Sequence, residues 1–420
     1  MQSIANTAEP SAASTASPHA SSKPKDTKAK REKLIPWSQR PRLTGSTIVQ
    51  VPHLYDASLP TVAYPISNDD LQFDLKPGYL GRHDGDFFVY LNPQDQAWLL
   101  QELPNPRMVI YVLCKRGLVL DVAYAKRRLL EEAIRSNIQI YNINPRKFDL
   151  SYGTAQDPQS ITHFIYDGKP IPRPHCMLTR AGANIDYWGK CVCRHIEQCG
   201  IKVFNNMEAL EISRDKFYTH QLLAPKGIAL PLSILCKYPF DVSLVESQLT
   251  YPLIVKMTSG SLGEQVWKAD SRSELVDILN SVDQSKPLIF QEFIANSSGR
   301  DLRIFIVGNR VCAAMLRSAT NSFKANIAQG GNAHVIRVSD ELANWAVQVK
   351  NICKLDMAGI DVLMDKDCYK ICEVNASPLF EGLEKATGVN VAKEMIDMCI
   401  EWFENSQKQN QIVNDTKLVA

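Results

Sequence analysis

The sequence predicts a mixed chain: a doubly wound parallel α/β unit followed by antiparallel α+β units, with a small β-like module and a disordered tail ahead of both. Three observations carry this. The buried run Met108–Cys114, a helical stretch with Leu129, Leu130, Ala133 and Ile134 on one face, and the run Ile138–Ile143 make a βαβ pattern. After Gly227 the apolar runs become short and are joined by turn pairs such as Gly308-Asn309, as antiparallel hairpins require. The 420 residues, at about 150 per domain, leave room for roughly two to four domains.

The balance of 47 Lys and Arg against 45 Asp and Glu, net +2, excludes a globally nucleic-acid-binding chain and an acidic, solvating one. The strongest apolar run, Met108–Leu113, is followed at once by Lys115 and Arg116, too soon to cross a bilayer. The 11 cysteines are odd in number and sit mostly in apolar segments such as Ile110–Cys114. With no secretory signal upstream, they predict reduced thiols and a cytoplasmic protein. A first basic residue at Lys23 and an acid at Glu9 disfavour organelle import. Cys191, Cys193, His195 and Cys199 lack a second ligand pair for zinc, so core packing is the better reading.

In order along the chain, residues 1–35 are Ser-, Ala-, Thr-, Pro- and Lys-rich without apolar periodicity, a disordered tail. Residues 36–105 form a small N-terminal module with β-like runs at Ser46–Leu54, Pro60–Ile66 and Asp86–Leu91. The α/β unit spans 106–205 and continues through strands at Cys176–Thr179 and Ile201–Phe204 around a helix from Ile185 to Cys199. Arg180 sits just past the end of one of these strands, where open sheets place ligands, and could pair with a substrate or with a structural carboxylate. A helix from Ser213 to Lys226, closed by Gly227, opens the second half. It contains strands at Leu253–Met257, Glu264–Ala269, Leu288–Ile294, Leu302–Val307, Val311–Arg317, Ala358–Met364 and Tyr369–Asn375. Helices at Asp340–Ile352 and Val389–Glu404 and a tail at 406–420 complete it.

The most informative pattern is the hairpin around Lys366, Asp367 and Cys368. With those three as its loop, residue 365 pairs with 369, 363 with 371 and 361 with 373, so Asp361 faces Glu373. Two facing carboxylates repel unless a cation lies between them, and Asn375 adds an amide oxygen on the same face. Three hard oxygen donors suit Mg²⁺ or Mn²⁺. A solvated, exposed hairpin face is the alternative, and Ile371, continuing the Glu373 face, argues against it. Such an ion commonly accompanies a nucleotide, whose phosphates need cations and backbone donors. Lys256 in the apolar strand Leu253–Met257, just before the Gly260/Gly263 loop, is a candidate. Neither GxxxxGK[ST] nor GxGxxG occurs, and the glycine loop could equally be a plain hairpin turn.

Gln291-Glu292-Phe293-Ile294, Gly299-Arg300-Asp301-Leu302-Arg303, Val307-Gly308-Asn309, Ala358-Gly359-Ile360-Asp361 and Glu373-Val374-Asn375-Ala376-Ser377-Pro378 together resemble the ATP-grasp superfamily. With the run Glu381–Gly388, the likeness is to RimK-like glutamate ligases, and it covers about residues 107 to 405. The resemblance implies two α+β units, 206–290 and 291–405, sandwiching ATP, behind a pre-ATP-grasp domain. It implies Lys216 and Lys256 toward the phosphates, Glu292 and Phe293 at the adenine edge, Asp301 on the ribose, and Lys324, Ala325 and Asn326 along the nucleotide. Asp361, Glu373 and Asn375 would hold a pair of Mg²⁺ or Mn²⁺ ions, and Arg303 and Arg317 would stabilise the transferring phosphate, with surface ion pairing as their alternative role.

The implied reaction is ATP-dependent amide formation through an acyl phosphate, adding glutamate to a carboxylate acceptor, either a small acid or a protein C-terminus. The chain departs from bacterial members at Lys324, where they tend to carry arginine, and over Asn326–Gly331, which lacks their His-Arg pair. Ala314–Ser318 is more similar to animal enzymes that join glutamate to N-acetylaspartate or citrate. No membrane or nucleic-acid partner is expected, and homo-oligomer formation stays open. The rivals are a non-catalytic nucleotide-binding interaction protein and a phosphoryl transferase without ligation.

Overall fold

The computed structural model describes residues 62–66, 80–83, 86–91 and 103–419, the last span without 115–119, 154–163, 183–184, 259–264, 320–321 and 326–331. The expected tail at 1–35, the run Ser46–Leu54, the Gly260/Gly263 loop and Asn326 lie outside the described residues. Near the N-terminus, β1 (Val62–Ile66), β2 (Leu80–His83) and β3 (Asp86–Leu91) form an antiparallel sheet in the order β1-β3-β2.

The α/β unit is built on β4 (Met108–Cys114), α1 (Leu120–Arg135), β5 (Ile138–Ile143), β9 (Cys176–Arg180), α2 (Tyr187–Gln198) and β10 (Lys202–Phe204). Three two-residue strands, β6 (Phe148–Asp149), β7 (Ile165–Tyr166) and β8 (Lys169–Pro170), form a small side sheet. The main sheet runs β10-β9-β4-β5 with every pairing parallel, as the βαβ pattern predicts. All seven residues of β4 are buried, the continuous apolar signature of a strand covered on both faces.

The single helix expected over Ser213–Lys226 is two: α3 (Met207–Arg214) and α4 (Lys216–Leu223), followed by a 3₁₀ turn at Ala224–Lys226. Asp215 breaks the run. Its backbone is extended, and its carboxylate accepts from the N–H of Phe217 and of Tyr218, both at 3.0 Å, so it caps the second helix while ending the first. Gly227 closes the segment in the left-handed region at φ 73°.

Two antiparallel sheets follow. The smaller contains β11 (Ser233–Cys236), β12 (Leu253–Met257), β13 (Val266–Ala269) and β14 (Leu288–Glu292) in the order β11-β14-β12-β13. With α5 (Val242–Glu246) and α6 (Arg272–Ser281) it encloses its own core around Val255, Leu275 and Phe290. The larger contains β15 (Arg300–Val307), β16 (Arg310–Ser318), β17 (Asn332–Val335), β18 (Met357–Met364) and β19 (Tyr369–Asn375) in the order β17-β16-β15-β18-β19. Its residues Ile304, Ile360 and Val374 share a core with Tyr111, Met177 and Val192 of the α/β unit. Helices α7 (Asp340–Ile352), α8 (Glu381–Thr387) and α9 (Val391–Val419) complete the chain, the last running through the segment expected as a tail. Among the described residues no helix is long and apolar enough to cross a membrane.

The β18–β19 hairpin corrects the expected register. Its loop is Asp365–Cys368, closed by the Asp365 N–H on the Cys368 carbonyl, and Met364 pairs with Tyr369 and Leu363 with Lys370. A bulge at Cys372 absorbs the extra residue, so Asp361 still meets Glu373. Ile371 therefore pairs with Val362 in the core, fully buried, and does not continue the Glu373 face.

Candidate active site

A cavity of about 550 Å³ lies between the two antiparallel sheets. Ile254, Lys256, Val266 and Gln291–Ile294 line it from the smaller sheet; Arg300, Asp301, Arg303, Met315, Arg317, Leu363, Glu373 and Asn375 line it from the larger. Lys216 enters from α4, Phe323–Ala325 from the segment after β16, and Tyr124, Ala125 and Gly182 from the α/β unit. Twelve of the thirteen residues singled out from the sequence thus line one cavity, Asn326 alone being outside the described residues. Eight basic side chains face five acidic ones there, a surplus suited to a polyphosphate.

The larger sheet carries a ladder of ion pairs. The Arg303 guanidinium donates to both oxygens of Asp361 at 2.7 Å, the cross-strand partner its register dictates. Arg317 forks onto Asp301, opposite it on β15, at 2.6 and 2.7 Å, and its second arm reaches Asp361 at 2.9 Å. Glu373 lies 3.4 Å from the Lys216 ammonium, and the Asn375 amide oxygen accepts from the Ser377 N–H at 2.9 Å. Burial pushes the Asp361 carboxyl up, but Arg303 and Arg317 outweigh it and hold the group below the usual carboxylate range. Burial and the neighbouring Asp361 charge raise Asp301 instead.

Across the cavity Lys256 is 7 % exposed, and no carboxylate lies within 4.0 Å of it among the described residues; its polar neighbour is the Cys372 sulfur at 4.0 Å. His220 of α4, buried nearby with no hydrogen-bond partner for Nε2 among the described residues, is pushed down to about 4 by burial and by the Lys256 charge. At the hinge edge the Glu292 N–H donates to the Leu232 carbonyl at 2.9 Å. Its side chain accepts from the Leu232 N–H at 3.0 Å and pairs with Lys370. Both side-chain contacts fall on Oε1. Burial lowers the Lys324 ammonium below its ordinary value.

Arg180 pairs with no carboxylate among the described residues. It is buried at the end of β9, donates to the Pro378 carbonyl at 2.7 Å and stacks 5.6 Å from the Phe380 ring centroid. Sequence reasoning missed Asn205. Fully buried, at φ 56°, it donates to the carbonyls of Met357 and Ala376 and accepts from the N–H groups of Asp356 and Met357. It thereby ties β10 to the start of β18 and to the residue after Asn375. Its only sequence signal is the doubled Asn205-Asn206 before α3, where Asn tolerates the left-handed conformation. Gly359 in the Ala-Gly-Ile-Asp strand has a steric reason: a Cβ there would stand 2.6 Å from Pro378 Cβ.

Asp361, Glu373 and Asn375 bring two carboxylates and an amide oxygen to one strand pair. By donor chemistry this hard-oxygen set fits Mg²⁺ or Mn²⁺.

The profile of the RimK-like ATP-grasp domain matches residues 213–399, and that of the RimK PreATP-grasp domain matches 108–210. The chain belongs to the RimK-like ATP-grasp family. A probable alpha-L-glutamate ligase of Legionella pneumophila is 35 % identical over 277 residues, 65 % of this chain and 90 % of the relative. The ATP-grasp ligase PsnB, solved with a minimal precursor, Mg and ADP, shares the fold at a TM-score of 0.56 and 20 % identity, over 72 % of this chain and all of PsnB. The D-alanine–D-alanine ligase of Bacillus anthracis, solved with ATP, shares it at 0.53 and 17 % identity, over 72 % of this chain and all of that one. As a RimK-like ATP-grasp protein, the chain is an enzyme of the ligase class.

Proposed function

We propose that this RimK-like enzyme is an ATP-dependent carboxylate-amine ligase that adds L-glutamate to a carboxylate acceptor, a small acid or a protein C-terminus, in the cytoplasm. The observation that carries the nucleotide assignment is Lys256: a buried ammonium with no carboxylate partner among the described residues, facing the Arg303–Arg317 ladder across a cavity with surplus positive charge. A buried cation is costly unless an anion completes it, and phosphate is the anion both walls can hold.

In this reading Lys216, Lys256 and Lys324 orient the phosphates, Asp301 accepts from the ribose hydroxyls, and Glu292 and Phe293 flank the base. An acceptor carboxylate oxygen attacks the γ-phosphorus and the bond to the β-phosphate oxygen breaks, giving an acyl phosphate and ADP. The glutamate amine then attacks the acyl carbon, phosphate leaves with the bonding pair, and the nitrogen loses a proton. Arg303 and Arg317 keep their charge throughout and stabilise the phosphoryl and acyl-phosphate oxygens. Asp361, Glu373 and Asn375 would hold Mg²⁺ or Mn²⁺, which supplies charge neutralisation for the phosphate oxygens when bound. Positioning and electrostatics carry most of the acceleration.

The test is ADP release by the purified chain with Mg²⁺ and ATP, scanning carboxylate acceptors against amino acids, with mass spectrometry of each product. A product heavier by one glutamate residue is expected. ADP release that no amine accelerates, with a phosphorylated product that accumulates, would replace ligation by phosphoryl transfer.

A further inference from the structure

We propose that Arg303 and Arg317 keep Asp361 closed to a metal ion until nucleotide phosphates draw the guanidiniums away, so that metal and nucleotide bind this enzyme strongly only together. Both Asp361 oxygens are engaged: Oδ1 accepts from Arg303 Nε, and Oδ2 accepts from the terminal nitrogens of Arg303 and of Arg317. The side chains are 7 % exposed for Asp361, 13 % for Arg303 and 4 % for Arg317, so water does not substitute easily for any lost partner. A metal ion entering alone would have to displace these donors. Arg317 would retain Asp301, but Arg303 has no ion-pair partner besides Asp361 among the described residues and would be left as a buried, unpaired guanidinium, the costly half of a broken pair.

The reverse holds for a nucleotide entering alone. Its phosphates attract Arg303 and Lys216, and moving those cations away takes Lys216 from Glu373 and leaves Asp361, facing it across β18 and β19, with only Arg317, which Asp301 shares. Entry of both is an exchange of partners: guanidinium forks pass from carboxylate to phosphate, which they match equally well, and the metal takes the carboxylates. Each charge keeps an opposite neighbour, so the two ligands are coupled through the ladder, reciprocally. Arg303 is in this sense a specificity-determining residue that admits the metal–nucleotide pair and discriminates against either alone.

The inference rests on the ligase reading only for where the phosphates lie, and its test uses no turnover, so loss of one does not imitate loss of the other. The full chain is titrated with Mn²⁺ without nucleotide, following the electron paramagnetic resonance signal of the free aquo ion. Arg303→Met is expected to bind Mn²⁺ roughly tenfold or more tighter than the wild type, because the displaced partner is gone. Arg303→Lys, which keeps one point charge and loses the fork, is expected to fall between them, and it decides the question if the methionine variant does not fold. Arg300→Met lines the same cavity without touching Asp361 and controls for the loss of a positive charge; its Mn²⁺ affinity should stay within about threefold of the wild type. Micromolar Mn²⁺ binding by nucleotide-free wild type, no gain in the folded Arg303 variants, or an equal gain in Arg300→Met each overturns the proposal.

Discussion

Asp361 faces Glu373 across β18 and β19 although the hairpin below them is one residue out of the register its sequence suggests, because a bulge at Cys372 restores the alignment. The bulge sends Ile371 into the core and leaves Cys372 and Glu373 both lining the cavity. Facing carboxylates in this position have little structural value of their own. Glu373→Ala is therefore expected to keep the melting temperature within about 3 °C of the wild type while metal-dependent ADP formation falls by roughly 100-fold or more. Turnover close to wild type in that variant would remove Glu373 from the metal set.

Asn205 makes its hydrogen bonds where no water reaches, and it holds the strand that carries Asp361 to the segment that follows Asn375. Replacing it by alanine strands buried carbonyl and N–H groups and puts a Cβ residue without a polar side chain at φ 56°. A loss of about 3 kcal/mol or more is expected in urea unfolding. A change under about 1 kcal/mol would mean that the neighbouring backbone finds other partners.

Gly359 and Pro378 approach so closely that the Cβ of Gly359→Ala must push one of them away. Backbone and ring have little room to yield, so a cost of about 1–3 kcal/mol is expected. Because Gly359 pairs with Asn375, the shift should also weaken Mn²⁺ binding in the presence of nucleotide. Calorimetry of unfolding and of ternary binding checks both, and an alanine variant normal in each would show that the contact relaxes freely.

His220 makes stability depend on pH. Its folded value, about 4, lies below the 6.5 of an unperturbed histidine, so the unfolded chain takes up the proton first as pH falls. The stabilising preference for the neutral ring is fully present above pH 6.5 and is lost between there and pH 4. Over that window the wild type should lose about 3 kcal/mol more than His220→Leu, measured by chemical denaturation at pH 7 and pH 4. Parallel losses in the two proteins would assign acid sensitivity to other groups.

The sequence by itself determined the parallel βαβ unit, the antiparallel second half and the Asp361–Glu373 pairing, and its resemblance to a known family implied most of the twelve residues that meet in one cavity. It could do so because apolar periodicity, turn residues and cross-strand arithmetic are local, and several motifs in order restrict the fold strongly. Tertiary structure decided the rest. The run expected as one helix from Ser213 to Lys226 breaks at Asp215, since a carboxylate that caps its own downstream N–H groups outweighs helical periodicity. The hairpin register depends on whether the Lys366–Cys368 turn or a bulge takes up the odd residue, a choice made by burying Ile371 against Val362. Asn205 acquires its role from backbone groups more than 150 residues away. For Arg303 and Arg317 the sequence left phosphate stabilisation and ion pairing both open, and the fold sets them against Asp361 and Asp301. Which opposite charge a buried arginine meets depends on strands brought together only by the completed sheet, and no local pattern in the chain encodes that distance.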